Sequence, residues 1–301
     1  MAILPPIDLV DLRVLVALAE ARHFARAAEA CNISQPALST RIRRMEDALG
    51  TPLVERGRRF QGFTAAGARL LVRARQILAD MDGLIQDAAS GERLSGDIRV
   101  GVVPTATPLA GRLAAAMAAA HPSIRLSCRS LSSRAIAANL AEFSLEAGIT
   151  YLNNEPIPDV FALPLIREDY CLVGSNSLIG NAGDVLDWAR LADIPLALLT
   201  SDMQNRRILD RAFAAVGLAP TVTFEANSFL AIVGRAAVGS AAAILPRMMV
   251  DMLALGDLAI RPLAPLPLQP IIGLILPRRE PLLPVAAALW SCAESKIAVA
   301  G

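Results

Sequence analysis

Residues 24–49 read FARAAEACNISQPALSTRIRRMEDAL, and this stretch decides how the N-terminal part of the chain folds. Ala25, Ala27, Ala28 and Ala30 form a small-residue helix that a second helix can approach closely. Asn32 and Ile33 make a tight connection. Ser34 follows as an N-cap whose hydroxyl can accept a first-turn amide. Pro36 sits just inside that turn, where its missing amide costs nothing. Leu38, Ile42, Met45 and Leu49 then recur at helical spacing as one apolar stripe. The helical angle places Pro36, Ser39, Thr40, Arg43, Arg44 and Asp47 on the opposite face. A short helix with a polar, arginine-bearing outer face and a second helix crossing behind it is the arrangement that enters a major groove.

An ordinary amphipathic helix pair with solvated arginines is the competing reading of this window, and the flanking sequence separates the two. Leu53 to Phe63 holds two apolar, strand-like runs around a glycine turn carrying Arg56, Arg58 and Arg59. A β-wing of that kind can set arginines against phosphates or a narrow minor groove. Between Arg22 and Arg75 there are 11 basic residues against four acidic ones, a local charge of +7 in a chain of net charge +1. Positive charge gathered in one module of a near-neutral protein is the footprint of a polyanion-binding surface. The expected partner is double-stranded DNA.

Composition bounds the alternatives. With 301 residues, 54% hydrophobic and 19% charged, the chain is globular and long enough for more than one core. The start, MAILPPIDLVDLR, lacks a basic segment followed by an apolar core, so no signal peptide is expected. No unbroken apolar run is long enough for a bilayer: residues 262–277 are interrupted by Pro265, Pro267 and Pro270. A cytoplasmic protein without membrane contact is expected. Cys31, Cys128, Cys171 and Cys292 are scattered, and the two histidines are His23 and His121, so neither a zinc site nor any other metal centre is expected. A redox pair requires Cys128 and Cys171 to meet in space; buried structural cysteine is the common alternative. Neither a nucleophile elbow nor a phosphate loop is present. No catalytic residue, enzyme activity or cofactor is expected.

Asp8 to Ala21 reads as an opening helix with Leu12, Leu15, Val16 and Ala19 facing inward. Thr64 caps a long helix running to about Gly91 or Arg93. Within it Leu71, Ala74, Leu78, Met81, Ile85 and Ala88 form a heptad seam, with Leu70, Ile77 and Leu84 beside it. Packing on its own domain and pairing with a second chain are the two readings, and two stripes on so long a helix favour a homodimer. After Ser95-Gly96, strands alternate with helices: 97–103, 124–130, 145–151 and 160–165, then 170–174, 195–199, 221–226 and 241–245. Residues 270–276 and a helix over 282–298 return to the first block. This alternation predicts two mainly parallel sheets covered on both faces.

With these elements in place, the chain resembles the LysR-type transcriptional regulators. The resemblance rests on Phe24-x-x-Ala27-Ala28, Ser34-Gln35-Pro36-Ala37-Leu38-Ser39, Arg43, Glu46-x-x-Leu49-Gly50, Leu53-x-x-Arg56 and Thr64-x-x-Gly67. It extends through Arg206-Arg207-x-x-x-x-Ala212-Phe213 and Gly239-x-x-x-x-x-Leu245-Pro246. Three departures stand out: Thr40 then Arg41 where the family usually has arginine, Phe143-Ser144 where it has glycine, and Glu146 where it has aspartate.

The resemblance implies an α+β, multi-domain protein. Its parts are a winged helix-turn-helix domain (1–63), a linker and dimerisation helix (64–94) and a two-lobed α/β effector-binding domain like a periplasmic binding protein (95–301). Lobe one takes about 95–166 plus 267–301, and lobe two about 167–266. By resemblance Gln35, Pro36, Ser39 and Thr40 face base edges, while Ser34, Arg43, Arg56 and Thr64 hold phosphates, with wing residues Arg58 and Arg59 beside them. Gln35 offers the bidentate amide that suits adenine. Capping is the alternative role of Ser34 and Thr64. A small effector is implied between the lobes, near Thr105, Thr107, Ser132, Thr150, Gln204, Asn205 and Asn227. Hydroxyls and amides beside helix N-termini favour an organic anion. A homotetramer, built as a dimer of dimers, is implied, with promoter bending that responds to the effector. A solute-binding protein of transport and a non-responsive architectural DNA protein are the rival readings.

Overall fold

The computed structural model describes residues 7–55, 57, 59–88, 94–180 and 183–297. The described residues fall in two compact units, one built mainly from residues 7–88 and the other mainly from 94–297. No helix among the described residues is long and apolar enough to cross a membrane.

In the first unit α1 (Leu9–Ala21) starts at a reciprocal capping box: Asp11 N donates to Asp8 and Asp8 N donates to Asp11. It ends at Arg22, whose φ of 48° closes the helix. Next come α2 (Phe24–Ala30) and α3 (Gln35–Leu49), the latter capped by Ser34 and stopped by Gly50 at φ 65°. The core gathers Leu12, Val14, Leu15 and Leu18 of α1, Ala27 and Ala28 of α2, and Leu38, Ile42 and Met45 of α3. Two expected stripes are therefore adjusted. Val14 and Leu18 are buried where Val16 and Ala19 are only half-buried, and Leu49 is 37% exposed. Leu49 falls in the last turn, after the chain has left the core.

The long helix α4 (Ala65–Ala88) has 24 residues. Gly67 lies so close to the strand before it that an added Cβ would fall 2.0 Å from the Leu53 carbonyl oxygen. That close approach explains the glycine three residues after Thr64. The expected seam divides: Leu71 and Ala74 are buried in the unit's own core, with Leu70 and Leu78 packed against it, whereas Ile77, Leu84 and Ile85 are exposed.

The second unit holds two five-stranded sheets. In chain order it contains β1 (Gly96–Val102), α5 (Thr107–Ala120), β2 (Ile124–Ser130), α6 (Ser133–Ala141), β3 (Ala147–Tyr151), β4 (Val160–Arg167), β5 (Tyr170–Gly174), α7 (Asn176–Ile179) and β6 (Leu196–Leu199). It continues with α8 (Gln204–Ala215), β7 (Val222–Ala226), α9 (Phe229–Ala237), β8 (Ala242–Pro246), α10 (Arg247–Met252), β9 (Ala259–Pro262), β10 (Ile271–Pro277) and α11 (Pro284–Lys296). The strand orders are β2-β1-β3-β10-β4 and β7-β6-β8-β5-β9.

Each sheet is half parallel and half antiparallel, not mainly parallel as the alternation predicts. In the first, β1 pairs parallel with β2 and β3, while β10 pairs antiparallel with β3 and β4. In the second, β6 pairs parallel with β7 and β8, while β5 pairs antiparallel with β8 and β9. The reason is the double crossing between lobes. A helical crossover restores strand direction. By contrast, β4 passes to β5 through Glu168-Asp169 alone and β9 passes to β10 without a helix. These two crossings lie side by side, with Glu168 N donating to Pro270 O at 2.8 Å.

Candidate functional site

The outer surface of α3 is set by what its arginines reach. Arg41 donates to Asp11 at 2.7 Å and Arg44 donates to the same carboxylate at 2.5 Å, with Asp8 alongside. Asp11 is fully buried, so this cluster fastens α3 to α1. Arg44 keeps its expected place on the outward face, 45% exposed, yet serves the fold: its long guanidinium stem wraps round the helix to a buried acid. Glu46 likewise turns inward and accepts Leu53 N and Val54 N at 2.8 and 3.2 Å, fixing the start of the wing. Ser34, Gln35, Pro36, Thr40 and Arg43 are exposed and Ser39 is half-buried. Ser34 Oγ accepts Ala37 N, and Thr40 Oγ1 donates back to Pro36 O.

The wing is a Val54–Phe63 bridge with Glu55 N donating to Gly62 O, and Arg59 is exposed on it. Arg56 and Arg58 lie outside the described residues. Phe60 stands edge-on to both Phe24 and Phe63, which seats the wing on α2. Thr64 Oγ1 donates to Pro52 O and accepts Gly67 N, so its capping role is established in the geometry.

The second unit carries a buried polar cluster where the lobes meet. Tyr151, at the end of β3, bonds through its hydroxyl to Thr105 Oγ1 at 3.1 Å and to Glu168 Oε2 at 2.8 Å. Tyr170, at the start of β5, donates to the same Glu168 oxygen. Asn205 Nδ2 donates to the Tyr151 and Tyr170 hydroxyls at 3.3 and 3.2 Å. Glu168 thus joins first-sheet and second-sheet residues at the crossing between them. Burial raises its carboxyl to about pKa 7, and the nearby Asp169 charge pushes the same way, while the two tyrosine hydroxyls oppose the shift. Both tyrosines are pushed well above their ordinary value, chiefly by burial and then by Glu168.

Among the described residues, several buried polar atoms of this unit have no hydrogen-bond partner: Thr150 Oγ1, Glu168 Oε1, Asn205 Oδ1 and both polar atoms of Gln204. Such groups cost about 1–3 kcal/mol each when left unmet. Gln204 and Asn205 open α8, whose N-cap, Met203, makes no side-chain cap, so first-turn amides are open to a ligand as well.

Of the effector residues implied by resemblance, Thr105 and Asn205 join this bonded cluster, and Thr150 and Gln204 are buried with open bonding capacity. Thr107, Ser132 and Asn227 are not bonded to it. Thr107 is exposed and donates to Pro104 O, Ser132 accepts Ala135 N as a cap, and Asn227 is exposed at the end of β7. Glu168, Tyr151 and Tyr170 were not legible as site residues. The available signal was that these are the only two tyrosines in the sequence. A groove of about 510 Å³, lined by Arg112, Glu168, Arg247 and Asp251 among others, takes in none of Thr105, Thr150, Gln204 or Asn205.

Two further features frame the cluster. Arg207 of α8 grips Glu155, in the loop after β3, through two bonds of 2.6 and 2.5 Å, tying the lobes together across the site. Phe143, in the turn before β3, adopts φ 52°, a left-handed conformation that glycine takes most readily. Glu146 keeps the acid's role by binding Arg99 through its backbone and its guanidinium, each at 2.6 Å.

A helix pair with a wing, followed by two α/β lobes with a polar site at their junction, is the layout of a DNA-binding transcription regulator with an effector-binding domain. Residues 9–75 match the bacterial regulatory helix-turn-helix protein, lysR family, and residues 91–298 match the LysR substrate binding domain. The chain belongs to the LysR family of DNA-binding transcriptional regulators and is not an enzyme. The uncharacterized HTH-type transcriptional regulator YnfL of Escherichia coli (strain K12) is 30% identical over 251 residues, 80% of this chain and 82% of that one. The DNA-binding transcriptional dual regulator OxyR of the same organism is 48% identical over 99 residues. That alignment covers 33% of this chain and 32% of OxyR, so the chain spans about a third of that relative's length. A full-length point variant of OxyR from Pseudomonas aeruginosa superposes with a TM-score of 0.78 at 26% identity, covering 96% of this chain and 97% of that one. Full-length CbnR complexed with its target DNA shares the fold, with a TM-score of 0.68 at 22% identity, covering 96% of this chain and 100% of that one.

Proposed function

We propose that this regulator reads promoter DNA through α3 and the wing, and that a small molecule between its lobes alters how the promoter is bound and bent. Gln35, Pro36, Ser39 and Thr40 face base edges; Ser34, Arg43, Thr64 and the wing arginines Arg56, Arg58 and Arg59 hold phosphates. The domain division is that of the sequence reading, 1–63, 64–94 and 95–301, with the lobe limits given there. Dimers form through the exposed Ile77, Leu84 and Ile85 of α4 and pair into a homotetramer. The regulator acts in the cytoplasm. Its effector bears an anionic group, for which the uncapped first turn of α8 supplies amides.

The observation that carries the DNA reading is the sorting of α3: Arg41 and Arg44 are held by Asp11, while Gln35, Thr40 and Arg43 remain exposed. Binding by full-length protein to a site selected from random DNA tests it. Gln35→Ala should cost about 1–3 kcal/mol on that site and blur discrimination. Equal loss on selected and unselected DNA would reject the assignment.

The names of several relatives raise a second reading, since they are called hydrogen peroxide-inducible genes activators. Peroxide-reactive cysteines need a lowered thiol pKa and access. Burial pushes all four thiols of this chain up, and none belongs to the polar cluster. A reversibly bound ligand therefore fits this chain better than a peroxide-oxidised thiol.

A further inference from the structure

We infer that the effector is a zwitterion of the amino-acid type, its acid group on the first turn of α8 and its ammonium on Glu168. This rests on the reading that a small molecule binds between the lobes, and it adds the chemistry at the other end of that molecule.

The unmet atoms of the cluster and of the buried Thr150 and Gln204 are mixed in kind. Glu168 Oε1, Asn205 Oδ1 and Gln204 Oε1 are acceptors, whereas the Gln204 amide nitrogen and the Thr150 hydroxyl can donate. Thr150, Glu168, Gln204 and Asn205 are each at least nine-tenths buried. Unmet acceptors and unmet donors together call for a ligand that brings both kinds of group, which a simple carboxylate does not.

Charge points the same way. Tyr170 and Tyr151 are the hydrogen-bond partners of Glu168, Asp169 adds a like charge, and no ion pair reaches Glu168 among the described residues, although Arg112, Arg167 and Arg247 line the groove it borders. Its carboxyl is therefore buried without an ion-pair partner, and a plain anion would add a second negative group beside it. An ammonium would supply the missing partner and a charge-assisted hydrogen bond. Asn205 links the two ends. It is the second residue of α8, and its side chain already bonds both tyrosines that hold Glu168. The Asn205 side chain thus connects the first turn of α8 to the hydroxyls that hold Glu168.

The proton balance follows from the same geometry. Without ligand, Glu168 holds its proton up to about pH 7. Docking an ammonium favours the carboxylate, so the proton leaves to solvent as the ligand binds. Below pH 7, affinity for an amino acid should rise with pH, approaching tenfold per unit, whereas a plain acid should show no such rise and should bind more weakly as Glu168 ionises above pH 7.

Thermal shift of the full chain can be run with each common L-amino acid beside its deamino acid and its decarboxylated amine. At least one amino acid should raise the melting temperature while its two truncated analogues do not. Calorimetry of that amino acid in two buffers of different ionisation enthalpy should show proton release and tighter binding at pH 8 than at pH 6. Glu168→Gln should weaken it tenfold or more and abolish the proton release. Should that variant fail to fold, the proton release of the unaltered protein decides alone. The inference is overturned if the deamino acid binds as well, if binding takes up no proton and releases none, or if no amino acid binds. Binding of a plain acid or a neutral metabolite in those cases leaves the inter-lobe site standing. Silence across acids, amines, amino acids and neutral metabolites removes that reading too.

Discussion

Replacing Asp11 by alanine should loosen the DNA-reading unit by an amount the geometry allows to be worked out. Asp11 accepts from Arg41 at 2.7 Å and Arg44 at 2.5 Å and closes the capping box by accepting Asp8 N at 3.1 Å. Breaking a fully buried pair costs about 3–5 kcal/mol, most of it for the charge left behind. Here the side chains left behind, Arg41 and Arg44, are 29% and 45% exposed and can turn to water, which reduces that share to about 1–2 kcal/mol. Loss of the capping-box bond adds about 1 kcal/mol. The sum, about 2–3 kcal/mol, is a large part of a small unit's stability. Hydrogen-exchange mass spectrometry of the full chain reads it directly. Peptides over α1 and α3 should exchange about 30- to 150-fold faster, at roughly 1.4 kcal/mol per tenfold. Acceleration below about fivefold would refute the reasoning. The same geometry separates neighbouring arginines. Arg43→Ala should shallow the salt dependence of DNA binding by about one unit of slope, while Arg44→Ala should leave it unchanged. An equal effect of the two would mean that Arg44 faces DNA after all.

Three further expectations follow from the structure. Ile77→Asp with Leu84→Asp places charges on an exposed part of α4 and should convert the oligomer to smaller species in sedimentation velocity, with an unchanged sedimentation coefficient counting against the dimer seam. Glu155→Gln removes one half of a two-bond pair whose side chains are 29% and 18% exposed, worth about 1–2 kcal/mol; exchange over 152–159 and the start of α8 should quicken about 5- to 30-fold. Glu168 titrates higher in the folded chain than in the unfolded one, so the folded state binds its proton more tightly. Stability should therefore fall as pH rises from about 4.5 to 7, by on the order of 3 kcal/mol, and Glu168→Gln should flatten that profile in thermal melts.

What the sequence could disclose was what is local. Ser34, Pro36 and Gly50 mark the ends of α3 through their own backbone preferences, and the apolar spacing of Leu38, Ile42 and Met45 found its buried face. The exposed face of Arg44 was legible but its partner was not, because a helical angle locates a Cβ, while the guanidinium's partner, Asp11, lies 33 residues away. The half-antiparallel sheets were hidden for a similar reason: β9 has only four residues, in a proline-rich stretch that carries no alternation. The implied site residues that proved buried, Thr105, Thr150, Gln204 and Asn205, sit at strand ends and helix starts that the pattern could locate. Glu168 could not be found that way. Its environment is assembled from residues 105, 151, 170 and 205, and no spacing in a linear pattern encodes that meeting.

The position of β10 also sets an order of assembly at the ribosome. It lies between β3 and β4, so the first sheet lacks an interior strand until the nascent chain has passed residue 277. Every strand of the other sheet, β5 to β9, has by then been synthesised. That lobe can close while β3 and β4 still wait with open edges, the kind of surface that pairs with the wrong neighbour. A translation stall or nonsense codon between residues 262 and 271 would release a polypeptide with one finished lobe and one missing its middle. Quality-control proteases would meet such a product as a half-built molecule, and the first sheet is where they would find purchase.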